Sequence, residues 1–201
     1  MKFMMKWAAV IVMLLTAQAA TAGDLRWDEG HWRLELSGFT GLHQGRHDRT
    51  GEENFNATID YETPLWKSGT LSLRLQPLFF YDQDKDNGKH VGEVGYLKDL
   101  IFDKYEDSDV YGAAIGPVFR IYQNAEERNG LFAEVGVTAM LHSAEFDGNR
   151  SNLNFISSLG VGYKFENDWH VTAIWRHISN GGIGSQNSGV NGIGIGIGYS
   201  F

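Results

Sequence analysis

The chain ends in NGIGIGIGYSF, residues 191–201. Ile193, Ile195, Ile197, Tyr199 and Phe201 share one parity, and Gly192, Gly194, Gly196 and Gly198 share the other. Successive side chains of a β-strand point to opposite faces, so this segment has one bulky apolar face and one bare face. The competing reading is a Gly-rich stretch of low complexity. In a closed barrel, glycine on the inner face leaves room for large lumen side chains from other strands.

The same period-two pattern runs through the chain, while helical periodicity is nearly absent. It predicts eight strands, at 31–43, 54–66, 70–81, 109–122, 130–142, 152–165, 168–179 and 190–201. From the second strand onward the apolar face is expected on odd numbers. In the third strand these are Leu71, Leu73, Leu75, Pro77, Phe79 and Tyr81; in the fifth, Leu131, Ala133, Val135, Val137, Ala139 and Leu141. Even positions carry Ser72, Arg74, Gln76, Glu134, Gly136, Thr138 and His142.

A soluble sandwich also alternates, but three features favour an all-β, eight-stranded antiparallel up-and-down transmembrane β-barrel. The strands are longer than the 5 or 6 residues, roughly, of globular sheets, and suit an apolar band of about 25 Å. Arg74, Arg120, Glu134, Asp60 and Glu62 fall on the face that would line a narrow lumen, where they would neutralise one another. Short turns (67–69, 123–129, 166–167) alternate with longer loops (44–53, 82–108, 143–151, 180–189), the pattern of outer-membrane barrels. Trp32, Trp66, Tyr81, Tyr111, Phe165, Trp169 and Tyr199 lie near strand ends, where interfacial girdles are expected.

Residues 1–22 read as a secretory signal peptide: a basic MKFMMK start, the apolar run WAAVIVMLL, and small residues ending at Ala20-Thr21-Ala22. The barrel domain is then 23–201, placed in a bacterial outer membrane. Cleavage removes Lys2 and Lys6, leaving 15 of the 17 basic residues against 25 acidic ones, a formal charge of −10. That balance and the lack of a basic stripe argue against nucleic-acid binding. With no cysteine there is neither a disulfide framework nor thiolate chemistry.

Within this pattern RHISNGG, residues 176–182, stands out. Trp169, Val171, Ala173, Trp175, His177 and Ser179 share the outward face of the seventh strand, so a histidine and a serine continue a row otherwise suited to lipid. An unpartnered polar group there costs free energy. One explanation is catalytic: histidine takes the serine proton and the alkoxide attacks an ester carbonyl. The other is an interfacial pair that touches lipid headgroups. His-x-Ser alone does not separate them.

With Asn187-Ser188-Gly189 following at matching spacing, His177-Ile178-Ser179-Asn180-Gly181-Gly182-Ile183 resembles the lipid A 3-O-deacylase (PagL) family of outer-membrane acyl hydrolases. The likeness covers roughly residues 110–201; the N-terminal half matches in architecture only. It implies a carboxylic ester hydrolase that removes an ester-linked acyl chain from the 3-position of lipid A. Lipopolysaccharide would be the substrate, with no cofactor and no metal. The resemblance implies Ser179 as nucleophile, His177 as general base, and the Asn187 side chain with the Gly182 backbone N–H as oxyanion donors. A homodimer is a candidate assembly. The departure is at the third catalytic member: the family has an acid where this chain has Asn191, and after Asp168 the chain contains no Asp or Glu. An amide orients a histidine without stabilising the imidazolium as an anion does. The alternative is therefore a non-catalytic structural or adhesive barrel with a decayed site. A solute pore is disfavoured, because eight strands enclose a lumen about filled by side chains.

Two further signals stand apart. Asp82, Asp84, Asp86 and Glu93 echo the spacing of a calcium-binding loop, but the Gly comes one place late and no helices flank it. A solvated external loop is the plainer reading. His43 and His47 have metal-like spacing but fall at a strand end and in a loop, where solvated histidines are expected.

Overall fold

The computed structural model describes residues 25–43, 49–83 and 109–201. The signal peptide expected over 1–22, together with His47, His90 and the 84–93 part of the calcium-like loop, lies outside the described residues. Eight strands follow one another: β1 His31–Gly41, β2 Glu53–Pro64, β3 Gly69–Asp82, β4 Val110–Asn124, β5 Asn129–His142, β6 Leu153–Lys164, β7 Trp169–Ser179 and β8 Val190–Ser200. Each pairs antiparallel with the next, and β8 pairs with β1 to close the barrel. Closure leaves no unpaired strand edge, which a chain in hydrocarbon requires. The connections 65–68, 125–128 and 165–168 lie at one end. The ends of β1, β3, β5 and β7 that lead into the longer connections, with the described segments 143–152 and 180–189, lie at the other.

Alternation sorts the side chains as the sequence predicts. Leu34, Leu36, Leu73, Leu75, Ile115, Leu131, Leu141, Leu159, Ile193 and Ile195 are exposed on the outer wall. So continuous an apolar surface is stable only against lipid. On the inner side of β8 the glycines let large side chains in: an added Cβ at Gly196 would meet the Glu35 carboxyl at 2.7 Å, and one at Gly194 would meet Phe39 at 2.4 Å.

The lumen has two parts. Toward the short turns it is an ion-pair network. Arg74 holds Asp60 with two bonds of 2.8 Å, and Arg120 reaches Glu134 at 2.6 Å and Asp60 at 3.3 Å, with Glu62 also paired to it. Paired in this way, charges tolerate burial that would be prohibitive singly. Toward the long loops the lumen is apolar, filled by Phe79, Tyr81, Val110, Ala114, Met140, Phe146, Ile156, Ile178 and Val190. Arg176 lies at the boundary, its guanidinium 3.8 Å above the Phe39 ring. Ile178 and Val190 belong to the apolar plug, so the segment of wall that carries the His-x-Ser pair is backed by solid packing.

One expectation is overturned. Phe79 and Tyr81 are fully buried and point inward, not into the outer apolar row or an interfacial girdle. The β3–β4 register jumps from Gln76↔Ala114 to Phe79↔Gly112, and β2–β3 jumps at the same place. This is a β-bulge at Pro77, which has no N–H for the ladder. The extra residue reverses the parity of β3, so Leu78 faces out instead. Above the plug, the Tyr81 hydroxyl donates to Glu52, which Arg49 also holds at 3.2 Å. Burial pushes the Glu52 carboxyl above its ordinary range although Arg49 pulls the other way.

Candidate active site

The β7–β8 register sets His177 opposite Asn191. The His177 Nδ1 lies 2.7 Å from the Asn191 Oδ1. An amide oxygen only accepts, so Nδ1–H is the donor and the Nε2 lone pair remains available. The imidazole stacks on Trp175, with centroids 6.4 Å apart and planes within 11°. Its other neighbour is Gly189, where any Cβ would come within 2.4 Å of His177 Cε1. Ring orientation is thus fixed by the Asn191 bond, the indole face and the absence of a side chain at 189. Ser179 lies two residues on, on the same wall face by alternation and 6% exposed. Two residues of strand span about 6.7 Å. Among the described residues no hydrogen bond joins Ser179 to His177.

Beyond Ser179 the chain turns sharply. Gly181 and Gly182 have φ of 65° and 89°, in the left-handed region that glycine enters without strain. The turn is held by Asn180: its Oδ1 accepts from Gly182 N at 2.9 Å, and its backbone O accepts from Ile183 N at 3.1 Å. The Asn180 backbone N donates to Asn187 Oδ1 at 3.0 Å. That bond fixes the Asn187 amide with its nitrogen, the donor end, directed elsewhere. The two groups assigned to an oxyanion are therefore unequal: the Asn187 amide nitrogen has no bond within the described residues, whereas the Gly182 N–H is already engaged by Asn180.

The two loops at this end clasp each other. Asn149 bridges to Asn187, Ser188 N donates to Gly148 O at 2.8 Å, and Arg150 N donates to Gln186 O at 3.1 Å. Asn180 Nδ2 crosses between them, donating to Gln186 O at 2.7 Å and to Asn149 Oδ1 at 2.9 Å. Of the residues singled out in the sequence, His177 and Asn191 are brought into direct contact. Asn187 and Gly182 are joined through Asn180, and Ser179 stands between the two groups. Asn180 and Asn149 organise this site although spacing alone does not mark them; Asn180 falls within the His-x-Ser-Asn motif and Asn149 in a loop remote from it. Among the described residues, no set of three or more His, Cys, Asp or Glu is placed to hold a metal.

The sequence profile of the lipid A 3-O-deacylase (PagL) family matches residues 67–200, two thirds of the chain. The chain belongs to the lipid A 3-O-deacylase (PagL) family. The match spans β3 to β8 and the whole of the His177–Asn191 segment. Among solved structures, the crystal structure of the outer membrane enzyme PagL aligns with a TM-score of 0.52 at 16% identity, covering 82% of this chain and 98% of that one. That likeness is one of fold. Neisserial surface protein A aligns at 10% identity with a TM-score of 0.48, covering 86% of this chain and 97% of that one. The Yersinia pestis outer membrane protein Ail aligns at 13% identity with a TM-score of 0.47, covering 86% and 100%. No match was found among curated proteins. The expectation of a homodimer finds no support in these comparisons.

Proposed function

We propose that this PagL-family chain is an outer-membrane lipid A 3-O-deacylase that hydrolyses an ester-linked acyl chain of lipopolysaccharide with Ser179 and His177. The observation that carries the reading is the His177–Asn191 hydrogen bond of 2.7 Å on the outer wall, beside Ser179 and at the long-loop end of the barrel. It leaves Nε2 as the proton acceptor. Movement of Ser179 toward His177 when substrate binds would complete the pair, since catalytic hydrogen bonds are often long before substrate arrives.

In the reaction the Ser179 Oγ attacks the ester carbonyl as His177 Nε2 takes its proton. The bond between the acyl carbon and the sugar oxygen then breaks, and the imidazolium gives its proton to that oxygen, which leaves as a hydroxyl. Water, activated by the same Nε2, releases the fatty acid from the acyl-enzyme. The Asn187 amide nitrogen is the better-prepared oxyanion donor; Gly182 N–H would share its proton between Asn180 and the oxyanion. Donors of this kind contribute roughly 3–4 kcal/mol each where measured. Asn191 holds the imidazole in its tautomer but brings no negative charge.

The experiment is mass spectrometry of lipid A after incubation with the refolded barrel and with Ser179→Ala. Loss of one hydroxyacyl chain with wild type alone supports the reading. Intact lipid A in both would favour the non-catalytic barrel with a decayed site.

A further inference from the structure

We infer that His142 is a positioning residue for this site, acting through a chain of buried asparagines whose polarity depends on a neutral imidazole. The inference rests on the deacylase reading above. His142 closes β5, on the strand's inner face and remote in sequence from the His-x-Ser motif. Its Nδ1 lies 2.7 Å from the Ala144 carbonyl oxygen and therefore carries a proton. Its Nε2 lies 2.6 Å from Asn154 Nδ2. That amide nitrogen also donates to the Ser151 carbonyl at 3.0 Å, which fixes it as the NH₂ end, so Nε2 is an acceptor.

From there the bonds run one way. Asn154 Oδ1 accepts from Asn149 Nδ2 at 2.7 Å, and Asn149 Oδ1 accepts from Asn180 Nδ2 at 2.9 Å. Asn180 holds both the Gly182 N–H and, through its backbone N, the Asn187 Oδ1. Asn149, Asn154 and Asn180 are all 0% exposed. Carbonyls at Ala144, Ser151 and Gln186 set the direction of the chain at both ends, so no member reverses alone without leaving a buried group unpaired.

A proton on His142 Nε2 would set two donors face to face. Restoring the contact requires the Asn154 amide to flip, which breaks its bonds to Ser151 and Asn149 and passes the conflict on to Asn180. Acidification thus loosens the Gly182 turn and the Asn187 amide from a distance. Burial opposes a proton on this imidazole, while the Ala144 carbonyl and, among the described residues, Glu145 in the following loop favour one. The cross-strand neighbour Gly112 on β4 and Asn154 on β6 carry no charge. Phe146 packs on the ring at 4.7 Å, and Tyr81 of β3 packs on that same Phe146.

The test compares kcat against pH for wild type and His142→Gln, whose amide oxygen accepts from Asn154 but does not titrate. Wild type is expected to lose activity on acidification with one proton more than His142→Gln does, the proton on His142. His142→Ala should lower kcat by about tenfold with KM unchanged. Independently of turnover, the side-chain amide NMR signals of Asn180 and Asn187 in the Ser179→Ala barrel should shift with the midpoint of the His142 ring. Identical acid limbs in the two proteins, or amide signals that ignore His142 titration, would overturn the inference. A wild type that releases no acyl chain would sink the deacylase reading alone, because the NMR arm still decides the chain.

Discussion

His170 and His177 stand on the same strand and face opposite sides of one wall. His170 is buried in the lumen with its Nε2 3.3 Å from Glu35 Oε2, in a network that also holds Arg33 and Thr172. His177 faces out with Asn191 as its partner. One imidazole has an anion, the other a neutral amide. The buried acids Glu35, Asp60, Glu62 and Glu134 all point inward among arginines. From the loop after β7 onward the chain has no acid to offer. These four carboxylates lie where arginines neutralise them, whereas His177 on the outer wall has an amide as its partner. The site is therefore oriented without being charged, which separates two contributions that an Asp or Glu in that position combines.

The contrast can be tested from both sides. The largest effect is expected from His177→Ala, which removes the proposed base and should cut acyl release by roughly 10²–10⁴-fold while leaving the folded barrel intact by circular dichroism. On the inner side, Arg120→Met takes from Glu62 its arginine and leaves Glu134 with Arg74 alone at 3.5 Å, while Asp60 keeps its two bonds to Arg74. Denaturant unfolding should show a loss of about 3–5 kcal/mol, with the kcat of the remaining folded protein little changed. Asn191→Asp keeps the partner's shape and adds the missing charge. A rate increase of about tenfold or more is expected, within the 10⁴-fold ceiling, roughly, set by the acid-to-amide change in serine proteases. An unchanged rate would mean that orientation alone is what position 191 supplies. The smallest effect should come from His170→Gln: Glu35 retains Arg33 and Thr172, so stability should fall by only about 1 kcal/mol. Acyl release should be unaffected, and a large loss there would couple the two faces and end the contrast.

Much of this was legible in the sequence. All eight strands fall within two residues of where alternation puts them, because a barrel wall between lipid and a polar lumen imposes its period on every residue. The mutual neutralisation of Arg74, Arg120, Asp60, Glu62 and Glu134 followed from the same parity. The inward turn of Phe79 and Tyr81 was not legible: a bulge adds one residue, and aromatic side chains suit either face. Strand parity singles out His177 and Ser179, and the family resemblance implies Asn191; the β7–β8 hairpin sets Asn191 opposite His177. The chain from His142 through Asn154 and Asn149 to Asn180 could not be read in this way. It depends on two loops clasping across the top of the barrel, and nothing in the spacing of polar loop residues marks those that will be buried.

The most direct test of the account is whether an acyl chain leaves lipid A, and whether Ser179 is what removes it. Mass spectrometry of lipid A incubated with wild type and with Ser179→Ala should show loss of one hydroxyacyl chain in the first case and intact lipid A in the second. Equal release by both proteins would refute Ser179 as nucleophile. Release by neither would show that an amide at 191 does not sustain the chemistry, and Asn191→Glu would then be the variant to restore it.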